Sequence, residues 1–143
     1  MKIAFIFPGQ GAQYPGMGKG YFEKYPSVQE LFRKATEISG VDFEYLCFNT
    51  DGVVLKQTVN CQMAIFLVSA AIFEVLHERF PQISPSFCSG LSLGEYSALY
   101  ASGVLNFKNT LELVKMRGIF MAVSYTHLRA HETRHDLVCR LLL

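Results

Sequence analysis

The sequence predicts an α/β fold, and three observations support that expectation. A short apolar run, Ile3 to Phe7, stops at Pro8-Gly9 as a buried strand feeding a loop does. An apolar stretch from about Gln62 to Phe80, charged only toward its C-terminal end, has the length of a helix rather than a strand. Between Ser86 and Ala101 the order is strand, sharp turn, helix.

Taken in order, Ile3 to Phe7 is the first strand, and the Gly-rich segment Gly9 to Gly20 is a loop. Val28, Leu31, Phe32, Ala35 and Ile38 recur at helical spacing and mark an amphipathic helix that ends near Gly40. Asn49 to Asn60 is polar and reads as a connection into the long helix, which is apolar on every side and therefore central. Pro81 and Pro85 punctuate the passage to Ser86-Phe87-Cys88-Ser89, a short strand, and Glu95 to Ala101 is helical again. Phe107 to Ala122 forms a last helix with Leu111, Val114 and Ile119 as its apolar face.

The 143 residues, half of them apolar, are enough for one modest domain with a real core. Thirteen Lys and Arg against twelve Asp and Glu leave no basic footprint for nucleic acid and no acidic tail. The longest apolar stretch, Met63 to Phe73, is closed by Glu74 and is shorter than the roughly 20 residues that span a bilayer, so no membrane is expected. The N-terminus has no signal-peptide pattern, and a cytoplasmic location is expected. Cys47, Cys61, Cys88 and Cys139 have no C-x-x-C spacing and read as reduced, packed thiols.

Composition breaks after Ala122: all 11 Gly and all 5 Pro precede it, whereas three of the four His follow it. Val123 to Thr133 resembles a forward-frame translation of a transposase-type sequencing adapter, and Asp136 to Leu143 resembles the adapter's far end. Residues 123–143 are therefore expected to be a non-native tail, set aside from functional reasoning. His127, His131 and His135 stand at i, i+4, i+8, a spacing able to hold a divalent metal, but the adapter reading gives them no function and no metal site is expected.

Gly90-Leu91-Ser92-Leu93-Gly94 is a G-x-S-x-G elbow set between a predicted strand and a predicted helix. At such a turn the flanking Gly residues relieve crowding, so the Ser92 Oγ projects clear as a nucleophile and the Leu93 N–H faces the reacting oxygen. The helix that follows places its positive dipole end beneath the developing charge. By itself the pattern also fits a small-residue turn with no chemistry. A second segment, Phe7-Pro8-Gly9-Gln10-Gly11-Ala12-Gln13, allows close approach of backbone to a ligand but lacks the Lys and Ser/Thr of a phosphate cradle.

Together, Phe7 to Gln13 and Gly90-Leu91-Ser92-Leu93-Gly94-Glu95-Tyr96-Ser97-Ala98-Leu99 resemble the acyltransferase family that includes the malonyl-CoA:acyl-carrier-protein transacylases. The resemblance runs from Lys2 to about Ala122 and includes Met116-Arg117-Gly118. It implies that residues 1–122 are the N-terminal part of an acyltransferase domain. That part belongs to an α/β-hydrolase-like large subdomain, and the ferredoxin-like small subdomain is missing. It implies Ser92 as the acyl-bearing nucleophile, the backbone N–H groups of Gln10 and Leu93 as the oxyanion hole, and Arg117 as the anchor of the malonyl carboxylate. A guanidinium suits that last role because it stays charged and meets a carboxylate through a planar fork.

The resemblance also places Gln62 near the active site, although Met63 stands where the family usually has Pro, and Leu91 stands where many members have His. The implied partners are malonyl-CoA and acyl carrier protein, with no metal or redox cofactor. The family's base is a histidine beyond residue 143, so the chain by itself is expected to be inactive. A serine hydrolase of the esterase type and a non-catalytic fragment are the alternatives. His77 is read as a packed or surface residue.

Overall fold

A computed structural model describes residues 2–127, with side chains through Val123; the remainder of the tail, including His131 and His135, lies outside the described residues. The element order is β1 (Ala4–Phe7), α1 (Lys19–Lys24), α2 (Pro26–Ser39), α3 (Phe43–Phe48), α4 (Gly52–Lys56), α5 (Thr58–Arg79), β2 (Phe87–Gly90), α6 (Gly94–Ala101) and α7 (Phe107–His127). The two strands pair in parallel, Ala4 opposite Phe87 through Phe7 opposite Gly90. A parallel pair needs a long crossover, and the helices α1 to α5 supply it. The expected α/β class is what the chain adopts.

Local chemistry explains most boundaries. Pro26 opens α2 at a position where its missing N–H costs nothing, and Gly40 closes it in the left-handed region at φ 74°, donating its N–H to Thr36 O at 2.8 Å. The polar stretch Asn49 to Asn60 is not a plain connection. It holds α4, capped by the Asp51 carboxylate, which accepts from the N–H groups of Val53 and Val54 at 3.1 and 3.0 Å. Asp42 caps α3 in the same way by accepting from Tyr45 N–H. Both helices are single turns with one to three buried residues, too short for a periodic stripe to reveal. α1 begins at the end of the segment Gly9 to Gly20 read as a loop, buries nothing and so leaves no stripe to reveal it.

The 22-residue α5 is long and apolar enough to cross a membrane by composition, yet 61% of its most apolar window is buried inside the protein. Its consecutive buried residues Cys61 to Leu67 show that it is packed on all sides, as a core helix is. Around it lie Val28 and Phe32 of α2, Phe43 and Leu46 of α3, Leu55 of α4, and Leu111 and Val114 of α7. α7 comes especially close at Gly118, where a Cβ would stand 2.9 Å from Val59 Cα. That close approach corrects one expectation. Ile119 does not face the core and is 37% exposed, because the buried line of α7 runs Leu111, Val114, Gly118 and leaves the next residue about 100° round the helix. The helix also continues beyond the expected end at Ala122, to His127.

A second aromatic cluster joins α5 to α6. Tyr100 meets Phe66, Phe73 and Phe107 edge-on, and its hydroxyl donates to the Glu74 carboxylate. Burial, and then that hydrogen bond, hold the Tyr100 phenol well above its ordinary pKa. Burial likewise pushes the Cys47 thiol up to about 12 and raises Cys61 and Cys88; Cys47 and Cys61 are packed thiols, as expected, whereas Cys88 is half-buried and Cys139 lies outside the described residues.

Candidate active site

The elbow is built on backbone contact. Among the described residues Ser92 is the non-glycine residue with positive φ, at 56°, the left-handed conformation that a side chain enters at a cost of about 1–3 kcal/mol. Two close approaches enforce it. A Cβ on Gly90 would fall 2.0 Å from the carbonyl carbon of Gly94, and a Cβ on Gly94 would fall 2.3 Å from Phe7 O. The end of β2, the start of α6 and the end of β1 therefore touch backbone to backbone, and only glycine fits at either position. Gly9 extends the same packing, since a Cβ there would stand 2.7 Å from Leu91 O. The Phe7 to Gln13 loop thus lies directly against the turn that holds Ser92.

α6 begins at Gly94 with Leu93 as its N-cap residue, so the Leu93 N–H sits at the positive end of that helix. The Leu93 side chain is fully buried and anchors the turn, whereas Ser92 is exposed. Leu91, beside it, is 77% exposed.

The structure brings the side chains of Ser92, Gln62 and Arg117 into one connected set, together with the side chain of Gln10, for which the expectation concerned the backbone N–H. Arg117, from α7, donates through Nη2 to Ser92 Oγ at 2.7 Å and through Nη1 to Gln62 Oε1 at 2.6 Å. Gln62, from α5 and fully buried, donates through Nε2 to Gln10 Oε1 and to Met121 Sδ, both at 3.3 Å. Gln10, Gln62, Ser92 and Arg117 are separated by up to 107 positions in sequence and come from four different segments.

Two further residues belong to this set, and sequence reasoning did not assign either a role. Met121 is four residues after Arg117, on the same face of α7. Tyr96 is four residues after Ser92, and its ring lies 5.8 Å from the Arg117 guanidinium carbon. The signal for both was helical spacing from a predicted site residue. His77, whose side chain is described, is exposed against the Phe73 ring, about 22 Å further along α5 than Gln62 at the rise of an α-helix. It plays no part here.

A serine held at positive φ, with an N–H at a helix start behind it and a guanidinium on its oxygen, can accept an acyl group that itself carries an anion. The acyl transferase domain family matches residues 4–137. This chain belongs to the acyl transferase domain family. Among its relatives is the malonyl CoA-acyl carrier protein transacylase of Bacillus subtilis (strain 168), 45% identical over 120 residues, which is 84% of this acyl transferase chain and 37% of that protein.

The crystal structure of MCAT from Streptococcus pneumoniae superposes with a TM-score of 0.81 at 45% identity, covering 86% of this chain and 39% of that one. A malonyl-transacylase in complex with its type II PKS acyl-carrier protein superposes at 0.82 with 36% identity, covering 87% and 40%. The chain thus spans 37–40% of the length of these proteins.

Proposed function

We propose that a full-length protein carrying this segment transfers a malonyl group from malonyl-CoA to the phosphopantetheine thiol of acyl carrier protein in fatty acid biosynthesis, in the cytoplasm. The observation that supports it most is the Arg117 guanidinium bridging Ser92 Oγ and Gln62 Oε1. An acyl group on Ser92 whose far end is a carboxylate places that carboxylate three bonds beyond Oγ, within reach of the same guanidinium. An esterase has no use for a cation on its nucleophile.

In the first half-reaction Ser92 Oγ attacks the thioester carbonyl, the carbon–sulfur bond breaks, and coenzyme A leaves as its thiol with the serine proton. In the second, the carrier thiol attacks the serine ester, the carbon–oxygen bond breaks, and Ser92 regains a proton. The Leu93 and Gln10 N–H groups donate to the oxyanion in both, and Arg117 anchors the malonyl carboxylate. Gln62 holds one nitrogen of the guanidinium rather than meeting substrate itself. The base that moves the serine proton is a histidine in the part of the full-length protein beyond this chain. On this reading residues 1–122 are the acyltransferase portion and 123–143 a non-native tail, even though the family match itself extends to residue 137. The relative whose transacylase was captured on its carrier protein supports a carrier as acceptor.

The test uses a chimera in which residues 2–122 replace the matching segment of the Bacillus subtilis transacylase. Arg117→Ala is expected to weaken malonyl transfer by tenfold or more, from the loss of a charge-assisted pair of about 1.5–3 kcal/mol, while sparing acetyl transfer. Equal losses with malonyl-CoA and acetyl-CoA would remove Arg117 from carboxylate binding.

A further inference from the structure

The guanidinium of Arg117 has a third neighbour besides Ser92 and Gln62. The two hydrogen bonds to Ser92 Oγ and Gln62 Oε1 use one Nη each and leave the flat faces of the group unheld. The guanidinium carbon lies over the ring of Tyr96, 5.8 Å from the ring centroid, inside the range at which a cation is drawn to an aromatic quadrupole. Tyr96 is not a free surface residue. It sits in the first turn of α6, its N–H donates to Leu93 O at 3.1 Å, and its side chain packs on the hydrophobic core while its immediate neighbours Ser97 and Ala98 turn fully inward.

We propose that Tyr96 is a positioning residue for acyl selectivity: its ring is the platform that, with Gln62 Oε1, orients the Arg117 guanidinium toward the acyl group on Ser92. This rests on the reading of Arg117 as carboxylate anchor.

The physical reason lies in how the ring is fixed. Gly94 locks the start of α6 against Phe7 O, and that same helix start defines where Ser92 stands. Tyr96 is carried by the helix that positions the nucleophile, whereas Arg117 is carried by α7. A long arginine side chain on a separate helix is free to swing away once its bond to Ser92 Oγ is broken by acylation. The Gln62 amide then holds one nitrogen, and the ring holds the plane. A two-point fork binds a carboxylate well only when that plane is set in advance. An uncharged acyl group gains nothing from the arrangement.

The same chimera tests this with Tyr96→Leu and Tyr96→Phe. Tyr96→Leu is expected to raise KM for malonyl-CoA roughly two- to five-fold, the scale of a half-exposed cation–π contact. Acetyl transfer is expected to stay as in the parent, and Tyr96→Phe, which keeps the ring, to restore parent behaviour with malonyl-CoA. Proportional losses with malonyl and acetyl donors, or equal defects in the Phe and Leu variants, would overturn the proposal. So would an unchanged malonyl KM in Tyr96→Leu. If Arg117→Ala is selective and Tyr96→Leu is not, the anchor stands and only the platform fails; a non-selective Arg117→Ala removes both.

Discussion

Gln62 illustrates how one buried polar side chain can decide a site. Its carbonyl accepts from Arg117 and its amide donates to Gln10 and Met121, so each end has a partner despite full burial. Because the partner of Arg117 is neutral, the guanidinium keeps its charge available for a ligand. Gln62→Glu would replace that neutral acceptor by a carboxylate of nearly the same shape and give Arg117 an internal ion pair. The expected outcome in the chimera is a malonyl-CoA KM raised by about fivefold or more, since an ionised acceptor strengthens the competing bond by about 1 kcal/mol or more, with acetyl transfer much less affected. Steady-state kinetics on both donors checks it, and an unchanged malonyl KM would show that Gln62 does not compete for the fork.

β1, the elbow and α6 form a single mechanical unit because their backbones touch. Gly90 and Gly94 are the contact points, and each added methyl would overlap main-chain atoms that cannot rotate away. Gly90→Ala or Gly94→Ala is expected to destabilise by about 4 kcal/mol or more, in the class of severe overpacking against strained backbone. Gly20, inside α1, meets nothing within 4 Å, and Gly20→Ala is expected to stabilise by up to about 1 kcal/mol by lowering the entropy of the unfolded chain. Thermal melts of the three chimera variants separate these outcomes. Similar melting temperatures for Gly94→Ala and Gly20→Ala would remove close packing as the reason for glycine in the elbow.

Both strands present apolar side chains away from the helices: Ile6 is 80% exposed and Phe87 67% exposed on the outer face of the two-stranded sheet. A parallel sheet is ordinarily covered on both faces, and an uncovered apolar face with open strand edges favours association. The 143-residue chain alone is accordingly expected to bind a hydrophobic dye, to aggregate on warming, and to gain no malonyl adduct on Ser92 by intact mass after exposure to malonyl-CoA. A stoichiometric adduct lost in Ser92→Ala would overturn the expected inactivity. The tail proposal is checked at the level of DNA. Sequencing the source across the codon for Ala122 is expected to show coding sequence in place of residues 123–143, and recovery of the same tail from independent unamplified clones would sink it.

Sequence alone determined the α/β order, both strands, the long central helix and the elbow around Ser92, while Gln10, Gln62 and Arg117 were named only through resemblance to the acyltransferase family. The elements are written locally, as an apolar run closed by Pro-Gly, a long apolar helical segment, and glycines flanking a serine. The one-turn helices α3 and α4 were hidden because a single turn holds too few buried residues to show a period, although Asp42 and Asp51 marked their starts. Which face of α7 is buried was decided only by its approach to Val59 at Gly118, a long-range contact that turned Ile119 outward. The tertiary structure alone placed Arg117 on Ser92, made Gln62 the support of the guanidinium, and set Tyr96 beneath it. Those contacts join α5, α6 and α7, and no local pattern encodes a distance between separate helices.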